Sequence, residues 1–235
     1  MSQNGGLNHS KPIDYLIHLA PLWYLPPLLQ QLSPPYPKQI IAIGSTSVLT
    51  KQASTSHYEQ QVVQKLLQAE QALADFATQK SIHWTLLRPT LIYAQQRDKN
   101  ISQIARFIKR FGFFPLVGNG QGLRQPIHAE DIALACLAVL NNEASYNKAY
   151  NISGGETLNY QAMVTKIFST LNRKPRFVTI PDKVLQLMLT SLRIIPRYHD
   201  LTPNMAQRMN QDLVFDHSTA QLDFGFSPRP FQPLT

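Results

Sequence analysis

Cysteine is almost absent from this sequence of 235 residues. Cys136 is the only one, so the chain cannot form an internal disulfide or a zinc site built on several thiolates. A lone thiol suits a reducing compartment, and we expect a cytoplasmic protein. No spacing of histidine and cysteine is typical of metal ligands, so we expect no bound metal.

Long hydrophobic runs are also lacking. Pro, Lys or Arg interrupts the most apolar segments well before the roughly 18 residues that a transmembrane helix requires. The start of the chain, MSQNGGLNHSKP, has no basic residue followed by an apolar stretch, as a secretory signal would. Hydrophobic residues make up 43% of the chain and charged residues 15%, which favours a globular fold over disorder. We expect a soluble protein without a transmembrane segment.

Acidic residues are fewer than basic ones, and the net charge is +8. The cations form two local clusters, Arg106, Lys109 and Arg110, and Arg173, Lys174 and Arg176. Such clusters could bind nucleic acid or an anionic membrane, but a pocket for phosphorylated sugars also requires cations. We do not expect nucleic acid as a partner, because no nucleic-acid-binding motif accompanies them.

The first part of the chain predicts a parallel sheet. Residues 13–19 (IDYLIHL), 39–43 (QIIAI) and 83–87 (HWTLL) are short apolar runs typical of strands covered on both faces. Residues 57–79 carry apolar side chains at helical spacing. A long helix between two such strands forms a βαβ unit, which implies parallel strands.

Beyond Asn100 the pattern becomes mostly helical. We predict helices at residues 101–110, 131–140 and 157–171, a short strand at 149–152, and a loop with four glycines, GFFPLVGNGQGLRQPIH. The sequence therefore predicts a sheet domain over residues 1–155 and a smaller, mostly helical portion over residues 156–235.

Several segments together resemble one family. In chain order they are IHLA, IIAIGSTS, LLRPTLIY, GNGQGLRQPIHAEDIA and YNISGGETLNY. From about residue 13 onward the chain resembles the extended short-chain dehydrogenase/reductases, in particular the NAD-dependent epimerase/dehydratase family. The resemblance implies an α/β fold with a partial Rossmann-like, doubly wound parallel sheet. That sheet would lack its first strands, as in an atypical, N-terminally truncated member.

The resemblance implies a cofactor, NAD or NADP, and residues that contact it. His18, Leu19 and Ala20 would lie at the end of one strand, where open α/β sheets bind ligands. Arg88, Pro89, Thr90 and Leu91 would end another, with their backbone against the nicotinamide carboxamide.

The resemblance also implies residues for catalysis and for a nucleotide-sugar substrate. Catalysis would involve Ser45, Thr46, Ser47 and Lys51. The substrate would contact Asn100, Arg124 and Gln125, with the Arg124 guanidinium on the pyrophosphate. For Ser45 and Ser47 the alternative is a bond to local backbone, for Arg124 a solvated loop residue, and for His18 a packed histidine.

Two family motifs are missing from this sequence. No strand precedes Gly5-Gly6, so these glycines do not form the GxxGxxG turn that binds the cofactor pyrophosphate. Nor is there a Tyr-x-x-x-Lys pair: Val62 and Leu66 stand at its expected positions, and Tyr58 and Lys65 are about two helical turns apart.

Three functions remain open. The first is an NAD(P)-dependent nucleotide-sugar epimerase, dehydratase or reductase, with catalysis impaired or with the glycine motif supplied from elsewhere. The second is a non-catalytic binding or assembly protein on the same fold. The third is a basic protein that binds nucleic acid or a membrane surface. A sheet lacking its first strands has an open edge, so we expect a homodimer or a partner that covers it.

Overall fold

The structure is a computed structural model that describes residues 13–51, 54, 56–94, 97–180 and 208–233. The chain divides into two compact units. The first unit combines Met1–Thr90, Asp131–Ile152 and Phe215–Ser227, and the second combines Leu91–Glu130, Ser153–Val214 and Pro228–Thr235. The chain thus crosses repeatedly between the units, whereas the sequence predicted one boundary after residue 155.

The described residues form the following strands and helices. The strands are β1 Tyr15–His18, β2 Gln39–Ile43, β3 His83–Pro89, β4 Ile92–Tyr93, β5 Phe114–Val117, β6 Leu123–Arg124, β7 Ile127–His128, β8 Lys148–Ile152, β9 Leu158–Asn159 and β10 Phe177–Ile180. The helices are α1 Leu25–Leu29, α2 Ser47–Thr50, α3 His57–Lys80, α4 Ile101–Phe111, α5 Ala129–Ala138, α6 Tyr160–Thr170 and α7 Ser218–Phe224. Short 3-10 turns span Leu22–Tyr24, Glu143–Ser145 and Arg208–Asn210.

The first unit contains a four-stranded sheet in the order β1-β2-β3-β8. Every neighbouring pair is parallel, with Ile17 beside Ile41, Ile41 beside Thr85, and Leu87 beside Tyr150. The parallel sheet and its βαβ unit, β2-α3-β3, confirm the predicted fold class. All strand ends therefore point to one edge of the sheet, which determines where a ligand could bind.

One face of this sheet is covered by α3, α1 and the 3-10 turn Leu22–Tyr24 that precedes α1. Leu66, Leu73 and Ala77 of α3 are buried in a core that also holds Ile40 and Leu86. Leu67, another apolar residue of the predicted helix at 57–79, is 42% exposed. It lies about 100° around the helix from Leu66, and thus outside the buried stripe.

A glutamine begins the central strand β2 and is nevertheless buried. The Gln39 amide nitrogen donates to the Val139 carbonyl at 2.9 Å and to the Thr85 hydroxyl at 3.2 Å. Its side-chain oxygen accepts from the Asn141 amide at 3.0 Å. Since buried polar groups are tolerated when they are hydrogen-bonded, Gln39 links the sheet to the segment that follows α5.

The second unit has its own core around α4 and α6. The fully buried residues Tyr93, Ile108, Met163 and Phe168 lie in this cluster. Its short strands form three pairs: β5 with β10 and β4 with β7 are parallel, and β6 with β9 is antiparallel. The predicted glycine loop thus contains three of these strands. The sequence did not indicate them, because their partners lie elsewhere in the chain.

Helix α6 begins later than predicted. The side chain of Asn159 accepts a hydrogen bond from the Ala162 amide at 2.7 Å, which caps the helix so that it starts at Tyr160 rather than at residue 157. None of the helices in the described ranges is long and apolar enough to span a bilayer.

Candidate functional site

The predicted cofactor and catalytic residues of the first unit follow the ends of β1, β2 and β3. His18 pairs with Ala42 and Ile43 pairs with Leu87, so these strands end at the same edge of the sheet. Ala20, Ser45 and Pro89 therefore lie along the one edge where open α/β sheets bind ligands. The structure thus places these residues along one edge, and their roles in binding and catalysis stay predictions.

The hydroxyl groups after β2 are engaged with nearby backbone. Thr46 is buried, and both its hydroxyl and its amide donate to the Pro89 carbonyl at 3.2 Å. The Ser45 hydroxyl accepts from the Ser47 amide at 3.1 Å, which begins the single turn of α2. These bonds match the local role that we left open for strand-terminal hydroxyls, and catalysis by Ser45, Thr46 or Ser47 stays a prediction.

Lys51 lies beside a carboxylate that the sequence analysis missed. Its ammonium is 3.4 Å from Glu59 Oε1, and the Ser54 hydroxyl donates to Glu59 Oε2 at 2.7 Å. Glu59 is buried in the first turn of α3, where the helix dipole favours a negative charge. An acidic residue in a first turn was the available signal, but nothing in the spacing linked it to Lys51. Tyr58, next to Glu59, is 73% exposed.

The end of β1 combines a buried histidine with exposed neighbours. The His18 ring nitrogen Nε2 is 3.4 Å from the Pro21 carbonyl, a contact that orients the turn after the strand. Leu19 is 68% exposed, and Ala20 is exposed as well. This geometry matches the packed-histidine alternative, and the two exposed residues present a surface that a ligand could cover.

Arg88, at the end of β3, is engaged by Glu70 of α3. Its Nε donates to Glu70 Oε1 at 2.9 Å and its Nη2 to Oε2 at 2.5 Å. The pair also explains the glycine after β2, since a Cβ on Gly44 would lie 3.3 Å from Glu70 Oε1 and 3.4 Å from Arg88 Cγ. The guanidinium therefore positions a helix against the sheet.

A dinucleotide fits this edge only in part. The Pro89 carbonyl already accepts from Thr46, and the Thr90 amide donates to the Ile152 carbonyl at 3.1 Å. Lys51 and Arg88 are each bonded to a carboxylate. Leu19 and Ala20 after β1 are exposed, whereas Lys51 and Arg88 would have to exchange partners to bind a pyrophosphate.

Leu91 lies in the second unit, and so do the residues predicted to bind the sugar nucleotide. The Leu91 carbonyl accepts from the Ile127 amide at 2.9 Å. Gln125 is buried, and its carbonyl accepts from the Gly154 amide at 3.3 Å. Asn100 is exposed just before α4, where its backbone amide donates to the Asp98 carboxylate at 2.7 Å.

Arg124 is buried, and its guanidinium bonds to backbone carbonyls. Nη1 donates to Leu123 at 2.7 Å and to Gln211 at 2.6 Å, and Nη2 donates to Arg208. Its guanidinium carbon is 5.5 Å from the centre of the Tyr160 ring. Burial lowers the pKa of Arg124 and raises the pKa of Tyr160 to about 12. Arg124 thus holds the segment at 208–211, and a phosphate contact would require it to give up these carbonyls.

Three further polar residues have local partners. The buried His128 accepts through Nδ1 from the Glu130 amide at 3.2 Å, and its ring meets Tyr93 edge-on. Asp216 accepts from the Ser218 amide at 3.0 Å and caps α7. Burial lowers the pKa of His217, whose ring lies against Phe226. These contacts describe packing and capping.

Neither a metal cluster nor a reactive thiol occurs in the described part of the chain. No group of three or more His, Cys, Asp or Glu side chains there could hold a metal ion. Cys136 is buried in α5, and this burial raises the pKa of its thiol to about 11. A thiol with so high a pKa is a poor nucleophile at neutral pH.

Parallel strands joined by a helix, with their ends at one edge, define a Rossmann-like α/β protein. Residues 37–153 match the model of the NAD dependent epimerase/dehydratase family, and the chain belongs to this family.

Solved structures share this fold. UDP-glucose 4-epimerase from Thermotoga maritima, in complex with UDP-glucose, has a TM-score of 0.66 at 15% identity, over 94% of this chain and 74% of that one. RMD from Pseudomonas aeruginosa, complexed with NADPH, has a TM-score of 0.68 at 15% identity, over 97% and 80%. At this level of identity the similarity shows the fold alone.

Curated relatives match parts of the chain. The mitochondrial NADH dehydrogenase [ubiquinone] 1 alpha subcomplex subunit 9 of Arabidopsis thaliana is 25% identical over 125 residues, 53% of this chain and 31% of that protein. YbjS of Escherichia coli is 24% identical over 153 residues, 62% of this chain and 45% of that protein. The chain thus spans less than half the length of these relatives.

Proposed function

We propose that this protein binds a nucleotide-bearing ligand, NAD(P) or a nucleotide sugar, at the carboxyl edge of its sheet, and that its family chemistry is impaired. The observation that carries the proposal is the common edge formed by the ends of β1, β2 and β3. The pairing of Lys51 with the buried Glu59 supports the impairment. Solved structures of the same fold with UDP-glucose or NADPH bound support the ligand class. A cytoplasmic location is part of the proposal, because the lone cysteine suits a reducing compartment.

The impairment follows from what proton transfer requires. A tyrosine acts as an acid or base near neutral pH when a neighbouring cation lowers its pKa. The Lys51 ammonium lies beside a carboxylate that offsets its charge, and Tyr58 of α3 is 73% exposed. The hydroxyls of Ser45 and Thr46 are already hydrogen-bonded to the loop that contains them or to β3. This arrangement retains an edge for binding without a matched acid/base pair.

The test is isothermal titration calorimetry with NADH, NADPH, UDP-glucose and UDP-glucuronic acid. Leu19→Glu places a negative charge on an exposed residue of the edge, and we expect it to weaken binding of these anions at least about fivefold, or about 1 kcal/mol. Leu222→Glu, on α7 and 85% exposed, is the matched control and should bind as the wild type does. If none of the four ligands binds, the binding proposal is wrong.

Activity is measured separately. We expect neither epimerisation of the two UDP-sugars nor NAD(P)-dependent reduction of a UDP-4-keto sugar above the rate of a heat-treated sample. Turnover that requires Lys51 would contradict the proposed impairment while leaving the binding proposal intact.

A second candidate is an assembly role, which the outer row of α5 favours. Ala133, Leu134, Leu137 and Ala138 are all exposed, with Leu134 at 59% and Leu137 at 60%. Contiguous apolar surface on a helix typically marks an interaction site. The partner we propose is a second copy of this chain, because an apolar helix face is self-complementary across a twofold axis.

Light scattering after size-exclusion chromatography tests the assembly role. We expect a dimer for the wild type and a monomer for Leu137→Glu. Leu222→Glu adds the same charge at another exposed leucine and should remain dimeric. A wild-type monomer at all concentrations would eliminate this candidate.

A further inference from the structure

Two basic clusters that are far apart in the sequence adjoin in the second unit. The Arg173 guanidinium donates through Nη1 to the Ile108 carbonyl of α4 at 2.8 Å. The Phe114 amide donates to the Arg176 carbonyl at 2.8 Å. The basic end of α4 therefore lies beside the segment that leads into β10, and the two clusters form one surface.

The exposed Phe111 lies within this surface and the half-buried Phe107 and Phe113 adjoin it, with Phe107 also packed against the core of the second unit. The ring centres of Phe107 and Phe111 are 4.6 Å apart, and those of Phe107 and Phe113 are 5.7 Å apart. Phe111 is 51% exposed, and the Arg110 guanidinium carbon is 5.3 Å from its ring centre. We name this surface the phenylalanine–cation patch; its members are Phe107, Phe111, Phe113, Arg106, Lys109, Arg110, Arg173, Lys174 and Arg176.

The positive charge of the patch is not compensated locally. Residues 99–118 and 171–180 contain neither Asp nor Glu. In the part of the chain that the structure describes, the ion pairs of lysine and arginine involve other side chains, Lys38, Lys51, Arg88, Lys148, Lys166 and Arg229. Six clustered cations without a carboxylate among them produce a field that attracts an anionic partner.

We propose that the phenylalanine–cation patch binds the surface of an anionic lipid bilayer. Phenylalanine enters the boundary between headgroups and acyl chains, while Lys and Arg extend their charged ends to the phosphates. Val178, 48% exposed on β10 just after Arg176, adds an aliphatic side chain to the same region. Apolar residues bordered by cations are the composition that such an interface favours.

The ring geometry favours lipid over nucleic acid. Binding of single strands relies on open ring faces on which bases stack. Here Phe107 and Phe113 meet edge-to-face, Phe111 lies tilted against Phe107, and Arg110 lies over Phe111. An aliphatic residue such as Val178 also contributes nothing to base stacking, whereas it contributes to insertion into lipid.

Vesicle sedimentation tests the proposal with the full chain. We expect binding to phosphatidylcholine vesicles that contain phosphatidylglycerol, loss of that binding in high salt, and little binding to pure phosphatidylcholine. Each cation removed should lower partitioning about fivefold, so Lys109→Gln with Lys174→Gln should lower it about 25-fold. Lys38→Gln with Lys65→Gln removes the same charge from exposed positions outside the patch and should change partitioning far less.

The apolar part has its own matched pair. Phe111→Ser should weaken binding to the anionic vesicles several-fold, whereas Leu67→Ser, at a leucine of similar exposure on α3, should not. Circular dichroism melts confirm that the variants are folded. Equal loss in the patch and control variants would overturn the proposal. So would absence of vesicle binding, or patch-dependent binding of an RNA or DNA oligonucleotide in its place.

Discussion

Arg88 and Glu70 form a bidentate ion pair between the end of β3 and the middle of α3. The two side chains are 21% and 10% exposed, so water screens the pair only weakly. The guanidinium of Arg88 is directed to the helix, and the cofactor contact expected of the Arg88 backbone stays a prediction. The edge of the sheet at the ends of β1, β2 and β3 is therefore supported by an ion pair.

Replacing Glu70 should destabilise the first unit. Glu70→Gln leaves the guanidinium of Arg88 partly buried without a charge partner, and we expect a loss of about 2 kcal/mol in the free energy of unfolding. Urea titration measures it. Asp14→Asn, which breaks the exposed pair with Lys38, is the control and should cost less than about 1 kcal/mol. Equal costs would mean that burial adds nothing to the pair.

Arg124→Lys should loosen the segment that the guanidinium holds. A lysine cannot reproduce the forked bonds to the carbonyls of Leu123, Arg208 and Gln211. We expect the Leu213 amide, which donates to the Leu123 carbonyl, to exchange its hydrogen about tenfold faster. Hydrogen exchange with mass spectrometry provides the measurement. Unchanged exchange would show that the segment is held without Arg124.

Stability at acidic pH should depend on Asp223. Hydrogen bonds from Lys148 and then Tyr150 hold the pKa of Asp223 below its ordinary value of 3.8, against the effect of burial. The folded state thus binds the proton less tightly than the unfolded state. The stabilisation is complete above about pH 4 and is lost as the pH falls through the folded pKa. Asp223→Asn should make the urea midpoint less dependent on pH between pH 6 and pH 2.

Tyr150→Phe provides the graded control for that experiment. It removes one donor to Asp223 and leaves Lys148 in place, at 2.8 Å. We expect its urea midpoint to depend on pH less steeply than that of the wild type and more steeply than that of Asp223→Asn. If the urea midpoints of both variants depended on pH as the wild type's does, other carboxylates would be responsible for the acid sensitivity.

Gly154→Ala should be more harmful than Gly225→Ala. A Cβ at Gly154 would lie 1.8 Å from the Pro126 carbonyl oxygen, which the backbone must move to accommodate. Gly225 has a φ of +69° but open space around it, so alanine there incurs only conformational strain of about 1 kcal/mol. We expect a loss of at least about 2 kcal/mol for Gly154→Ala in thermal unfolding. The reverse order would contradict the steric explanation.

The sheet could be predicted because its signal is local. Gln39–Ile43 and residues 83–87 are continuous apolar runs around a helix with an apolar stripe, and such units leave few alternative topologies. The strand pairs of the second unit could not be predicted in the same way. Phe114–Val117 is four residues long, and its partner Phe177–Ile180 follows much later in the chain.

The partners of the site residues were the other part that the sequence did not reveal. Residue type indicated that Arg88 and Arg124 are cations, but their partners come from α3 and from the segment at 208–211. Lys51 and Glu59 likewise meet only because the chain turns between them. Helix and strand periodicity constrain which face a residue occupies, not which distant group it meets.

The bond from the Tyr150 hydroxyl to Asp223 has a consequence for biosynthesis, because these residues are 73 positions apart. A ribosome adding about 5–20 residues per second needs several seconds to proceed from β8 to α7. During that interval β8 has been synthesised while α7 is still unmade. The nascent first unit therefore passes through a stage at which the Tyr150 hydroxyl lacks its partner on α7.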